Sequence, residues 1–370
     1  MERTTPPFRA EQIGSLIRPP SLIEAKRQNL AGKLATEALR EMEDRAIREV
    51  VKLQEEIGLH SITDGEFRRV SYLSEFLNPI GVEFLQGKSP DMLYYDDAGG
   101  TAPGTLAMVN RKIAWTGSIN VAAFTFLKSI TKETPKVTLP APTQVHMFAA
   151  RDGISKAVYP DIDAFWDDMV AAYHAEIAAL AAAGCRYLQI DETSMPKLAD
   201  PAIQEVVRRR GQDWRAVLEK YAEVMNRIIR GAPSDMTVAV HHCRGNNAGR
   251  WMAQAGYDAV AEMLFGTIEA KSYLLEYDTP RAGDFAPLRF MPKDKVAVLG
   301  LVSTKSNRVE TADELKRRID EAARYMPLER LCLAPQCGFS CGFAGSDLTY
   351  ESQVQKLQRI VEVARFVWNA

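Results

Sequence analysis

The chain has 370 residues, of which 46% are hydrophobic and 25% charged, and a formal net charge of -2 at pH 7. That is the composition of a soluble globular protein, and the charge balance gives no footing to nucleic acid or an anionic membrane surface as a partner. No apolar run is long enough to span a membrane. The polar start, residues 1–7, lacks the apolar core of a secretory signal. The five cysteines are odd in number and too sparse for a disulfide framework. A cytoplasmic protein with reduced thiols is the expectation.

Short apolar segments alternate with amphipathic helical stretches along most of the chain. A strand near residues 10–13 comes first, then a helix over 37–57 and a second strand near 61–63. The stretch 87–133 departs from this rhythm. It carries the turn Asp96-Asp97-Ala98-Gly99-Gly100 and reads as a hairpin-bearing insertion over one mouth of the fold. Strands are then expected near 137–139, 187–190, 237–241, 272–275, 296–299 and 331–334. Helices fall at 162–183, 214–229, 312–324 and 351–367. Thr36, Thr311 and Thr349 stand where helix N-caps belong. Eight strands with intervening helices predict an α/β fold, a (β/α)8 TIM-type barrel forming one domain over residues 1–370. The competing architecture is an open, doubly wound sheet. The barrel is preferred because polar motifs close so many different strands, and barrel enzymes build their sites there.

Three of those motifs carry ligands that zinc accepts: His241-His242-Cys243, Glu276 within Leu274-Leu275-Glu276-Tyr277-Asp278, and Cys337 within Pro335-Gln336-Cys337-Gly338. Alternate residues of a strand share a face, so His241 and Cys243 can point together while His242 points away. Each piece has a plainer explanation. His241 can be a satisfied core histidine, Glu276 can pair with Arg281, and Cys332 and Cys341 compete with Cys337. A second set suits a small amino acid. Gly14-Ser15 offers backbone N–H groups and a hydroxyl to a carboxylate. Glu66 and Asp191, each closing a strand, offer negative charge to an ammonium group. Glu66 can instead pair with Arg68 or Arg69, and Asp191 can cap a helix.

In order and placement these pieces resemble the C-terminal catalytic barrel of cobalamin-independent methionine synthase, and more closely its short, single-barrel relatives. The resemblance runs from Ile13-Gly14-Ser15 through Asp64-Gly65-Glu66, Gln189-Ile190-Asp191-Glu192, His241-His242-Cys243 and Leu275-Glu276 to Pro335-Gln336-Cys337-Gly338. It covers about residues 10–340, and this barrel type is shared with uroporphyrinogen decarboxylase. It implies zinc held by His241, Cys243, Glu276 and Cys337, and homocysteine held by Ile13, Ser15, Glu66 and Asp191. It implies methyl transfer to that thiol, giving methionine, with Glu66 and Asp191 orienting the amino acid. Leu139-Pro140-Ala141-Pro142-Thr143 resembles the turn near the methyl donor.

Two departures bear on the donor. The chain has no room for the second barrel that helps the large enzymes bind polyglutamylated folate. Lys305 stands where they use a histidine near the leaving nitrogen, and a lysine serves as an acid there only if its pKa is lowered. The donor is expected to be methylcobalamin or another methylated corrinoid, or methyltetrahydrofolate. Alternatives are alkylation of another thiol, as in epoxide opening by coenzyme M, or service as the thiol-activating subunit of a corrinoid methyltransfer complex.

Overall fold

In the computed structural model, which describes residues 2–343 and 347–369, apolar runs bounded by turn residues become strands. They are β1 (Ser61–Ile62), β2 (Glu83–Leu85), β3 (Leu93–Tyr95), β4 (Thr101–Pro103), β5 (Leu106–Met108), β6 (Thr134–Pro135), β7 (Val137–Pro140), β8 (Tyr187–Asp191), β9 (Thr237–His242), β10 (Ser272–Glu276), β11 (Val296–Val302) and β12 (Leu331–Pro335). The last six form one parallel sheet in the order β12-β11-β10-β9-β8-β7. The order follows the chain, so each crossover returns to the next position. Strands covered on both faces need no polar alternation, which is why Val296–Val302 is apolar throughout and buried throughout.

The two remaining expected strands pair over less backbone than expected. The 10–13 segment makes a single bridge, Ala10 to Leu333 of β12. β1 pairs with β6, which leads directly into β7. Between these two segments the backbone link is Leu16 N to Gly65 O, 3.0 Å. The fold is therefore α/β with a six-stranded parallel sheet, each edge of which is joined to one of the short segments.

Apolar residues pack on both faces of the sheet. The larger cluster lies between sheet and helices. The smaller holds Ile13, Tyr187, Ala239, Leu274, Val296, Val298, Cys332 and Ala334, drawn from six segments on the other face. Val296 with Val298, and Cys332 with Ala334, show the two-residue period of one strand face. Nearby, Lys136 Nζ meets Glu11 Oε2 at 3.3 Å, and that carboxylate also accepts from Ser61 and Tyr187.

The five expected helices appear within two residues of their predicted ends. Thr311 caps its helix in a full capping box, and Thr349 accepts from Ser352 N at 3.1 Å. Thr36 does not cap. It is already the first helical residue, and Ala35 holds the cap position without a side-chain bond. The 87–133 stretch also divides differently. Two nested antiparallel pairs, β2 with β5 and β3 with β4, start earlier, at Glu83. The Asp96 carboxylate closes the inner turn by accepting from Ala98 N and Gly100 N. The later helix Val121–Ile130 packs on helices Thr36–Ile57 and Ile162–Ala182 and belongs to the helical layer.

Candidate metal centre and substrate cavity

The register brings the polar residues to one level. Asp191 stands opposite His241, His241 opposite Leu274, and Glu276 opposite Gly300. All lie at the carboxyl ends of parallel strands. The His241 ring is fixed by its Nδ1, 3.2 Å from Leu274 O. A carbonyl only accepts, so Nδ1 carries the proton and Nε2 keeps its lone pair. That Nε2 is buried and has no hydrogen-bond partner among the described residues. His242 points the other way, with Nδ1 on Glu192 O at 2.6 Å and its ring stacked on Tyr273. Burial lowers its pKa to about 3.

His241, Cys243 and Cys337 place one donor atom each within 4.8 Å of one another. The Cys243 and Cys337 sulfurs are 3.8 Å apart. A disulfide bond measures about 2.05 Å. Two sulfurs on a tetrahedral zinc with bonds of about 2.3 Å stand about 3.8 Å apart. The orphaned nitrogen and the sulfur spacing both fit a zinc ion. With thiols alone, the hydrogen bond to Cys337 and burial hold Cys243 well above the usual thiol value. Cys337 is lowered by its bond to Cys243, but its bond to Cys341 and burial leave it well above as well.

Glu276 stands outside this trio. Its carboxylate accepts from Arg244 N at 2.6 Å and from Lys305 Nζ at 3.0 Å, and Lys305 also reaches Asp278 at 3.4 Å. Its partner is thus Lys305; Arg281 instead meets Asp97 and lies over Trp251. Burial pulls the Lys305 ammonium toward neutrality, but Glu276 and Asp278 outweigh it and hold the value above an ordinary lysine. That direction runs against the expected acid role. Lys305 is placed to neutralise two buried carboxylates.

The amino-acid side of the site gathers Ile13, Ser15, Glu66 and Asp191 around a small cavity of about 40 Å³ beside the trio. Glu66 takes a left-handed conformation, φ 59°, and its N–H is held by Asp64 Oδ1 at 2.8 Å. Such backbone strain in a non-glycine residue clusters at functional sites. Its carboxylate meets Thr138 Oγ1 at 2.7 Å and Arg69 at 3.2 Å. The Arg69 pairing considered above therefore exists, but buried rather than on the surface. Asp191 accepts from Gln189 Nε2 at 2.7 Å. Burial, then the charge of Glu66, pushes Asp191 up to about 7. Two glycines let these loops close. A Cβ on Gly14 would stand 2.8 Å from Glu66 Oε1, and one on Gly338 2.0 Å from Ser15 Oγ.

Tyr72, Tyr94, Asn246 and Cys341 also wall this cavity. Sequence reasoning did not assign them, because Tyr72, Asn246 and Cys341 sit outside regular elements and Tyr94 lies in a three-residue strand of the insertion, with no periodicity to mark them. Only Cys341, four residues past Cys337, carried a signal. Tyr94 comes from the inserted hairpin, which a Tyr95–Trp251 bridge ties to the loop after β9. The same four residues border an outer cavity of about 280 Å³, whose walls include Phe339 and Phe343.

The cobalamin-independent synthase catalytic domain matches residues 8–366. The chain belongs to that family. It is 38% identical to YxjH, an uncharacterized protein of Bacillus subtilis (strain 168), over 98% of this chain and 95% of that one. It is 26% identical to a methionine synthase of Saccharolobus solfataricus, over 96% of this chain and 93% of the relative. A crystal structure from Listeria monocytogenes, provisionally assigned as a vitamin-B12-independent methionine synthase, superposes with a TM-score of 0.76. It is 31% identical and covers 99% of both chains. The resemblance read from the motifs is therefore upheld at the level of the family.

Proposed function

We propose that this member of the family is a zinc-dependent S-methyltransferase that moves a methyl group onto homocysteine to give methionine. The observation that carries the reading is one cavity walled both by a nitrogen–sulfur–sulfur donor set and by two carboxylates. The scaffold is read as a single (β/α)8 barrel. The bridges at both sheet edges and the separate apolar cluster on the inner face support this.

His241, Cys243 and Cys337 would hold the ion, which when bound supplies the Lewis acidity that keeps a thiolate stable near neutral pH. Leu274 O fixes the His241 tautomer, so the ring presents an available lone pair. Glu66 and Asp191 bind the substrate ammonium and set its orientation. Ser15 and the neighbouring backbone receive the substrate carboxylate. Tyr72 and Tyr94 narrow the cavity and exclude water. Positioning of thiol against methyl carbon then accounts for much of the rate.

The donor enters from the outer, aromatic-walled cavity. A nitrogen leaving group needs a proton, and Lys305 is committed to two carboxylates. That favours a methylated corrinoid, whose cobalt leaves without one, over methyltetrahydrofolate. A sulfonate-bearing thiol such as coenzyme M would meet Glu66 and Asp191 with the wrong charge.

The test is methionine formation by zinc-loaded protein from homocysteine, with methylcobalamin and methyltetrahydrofolate offered separately. Product from either donor supports the reading, and the preferred donor follows from the comparison. No product from either, with zinc firmly bound, overturns it in favour of another thiol, another electrophile or a required carrier protein.

A further inference from the structure

We infer that Lys197 is the counter-cation of the thiolate site, a positioning residue whose ammonium offsets the negative charge gained when a substrate thiolate binds. The inference rests on the functional reading above and leaves the ligands as they stand there. Lys197 closes the short helix Ser194–Lys197, which follows β8 and Asp191. It is 1% exposed. Its ammonium donates to Thr193 Oγ1 at 3.1 Å and lies 5.2 Å from the centre of the Phe148 ring. Among the described residues it has no other hydrogen bond and no ion pair. An ammonium carries three donors, and burying it with one partner is costly. The other buried lysines are served differently. Lys136 meets Glu11 at 3.3 Å, Lys305 meets Glu276 at 3.0 Å and Lys356 meets Glu310 at 3.1 Å. Lys295 donates to the carbonyls of Phe265 and Ile268 and to the Tyr273 hydroxyl. Lys197 alone among these five has neither a carboxylate nor a carbonyl.

What surrounds Lys197 is the proposed metal site. Thr193, its one partner, walls the same cavity as His241, Cys243 and Cys337. Burial pulls the ammonium toward neutrality, and the groups that oppose this are, in order, Cys243, Glu192, Glu276 and Cys337. The two carboxylates are engaged elsewhere. Glu192 accepts from Thr143 Oγ1, Ser194 N and Met195 N, and Glu276 accepts from Arg244 N and Lys305. That leaves the two sulfurs as the charge facing Lys197. Two thiolates balance the charge of one zinc ion. A third thiolate, from the substrate, leaves one negative charge in a closed cavity, where a charge needs a partner. Lys197 supplies it through its field, without entering the donor set.

The experiment uses the full-length protein with cobalt in place of zinc and homocysteine as the thiol. The thiolate-to-cobalt absorption that homocysteine adds is followed as pH is raised. Its midpoint reads how readily the bound thiol loses its proton. Lys197→Met keeps the length of the side chain and removes the charge. It should raise the midpoint by about 1–2 pH units. Calorimetry on the zinc protein at pH 7 should show homocysteine bound about tenfold or more weakly. Lys197→Arg should restore both values toward wild type, which a packing role would not predict. Lys197→Gln provides a second uncharged variant should the methionine protein misfold. A midpoint unchanged in the uncharged variants, or moved equally by Lys197→Arg, overturns the inference. A wild-type protein that binds no metal, or binds it without any homocysteine band, overturns the functional reading and this inference with it, so the two failures are distinguishable.

Discussion

At the scale of single residues, burial and charge pairing decide what each group can do. Asp191 is fully enclosed, with its value raised from 3.8 to about 7. Folding thus favours its protonated form. The contribution to stability is full below the unfolded value and is lost as pH rises through about 7. Asp191→Asn cannot titrate, so its stability relative to wild type should grow between pH 4 and pH 8. The gain should be on the order of 2–4 kcal/mol, with homocysteine affinity falling in the same protein. Thermal midpoints of both proteins at several pH values measure it; a constant difference would remove the account of Asp191. Lys305 gives a second prediction. Lys305→Met leaves Glu276 and Asp278 buried together without their cation, which should cost about 3–5 kcal/mol. Adding Glu276→Gln should recover part of that loss, because the pair is coupled. Equal destabilisation by the single and double variants in urea unfolding would show that the ion pair does not matter.

At the scale of elements, the site depends on loops approaching one another closely across strand ends. The turn after β12 lies against the loop after the 10–13 segment, with Phe339 N on Ser15 O at 2.9 Å. Gly338 permits this approach, since any Cβ there would overlap Ser15 Oγ. Gly338→Ala should displace Ser15 and raise the KM for homocysteine several-fold while zinc content stays at one. Unchanged KM would show that Ser15 does not contact the substrate. The same scale explains what the sequence left hidden. Helix Glu37 to Ile57 was legible from its apolar stripe, and Thr311 and Thr349 from their place before helical runs. Helices Pro20–Leu30 and Pro201–Arg209 were not expected, being short elements that begin at proline. The short segments at 10–13 and 61–63 read as full strands although they mix polar with apolar residues. Their backbones, however, pair over only one or two residues.

At the scale of the whole molecule, the proposed ligands connect distant parts of the sheet. Cys243 follows β9 and Cys337 follows β12, with β10 and β11 between them. An ion that binds only when these ends are together stabilises the folded state by mass action, about 4 kcal/mol at a thousandfold excess over Kd. Removing zinc with a chelator should therefore lower the thermal midpoint, and zinc should restore it. Cys337→Ser should show no zinc-dependent shift. A midpoint indifferent to zinc in the wild-type protein would argue that the trio holds no metal under those conditions.

The sequence by itself determined the family, because His241-x-Cys243, Cys337, Ser15, Glu66 and Asp191 keep their order and their places at strand ends. It also determined the α/β alternation, since helix and strand periodicities are local properties. The tertiary structure decided how those residues are shared among partners. It committed Lys305 and Glu276 to each other, left His241 Nε2 without a partner among the described residues, and set Cys341 beside Cys337. None of these pairings is local except the last, and even that depends on the fold of a turn. Whether a buried charge meets an ion, a carboxylate or nothing depends on distances between segments far apart in the chain, which no spacing in the sequence records.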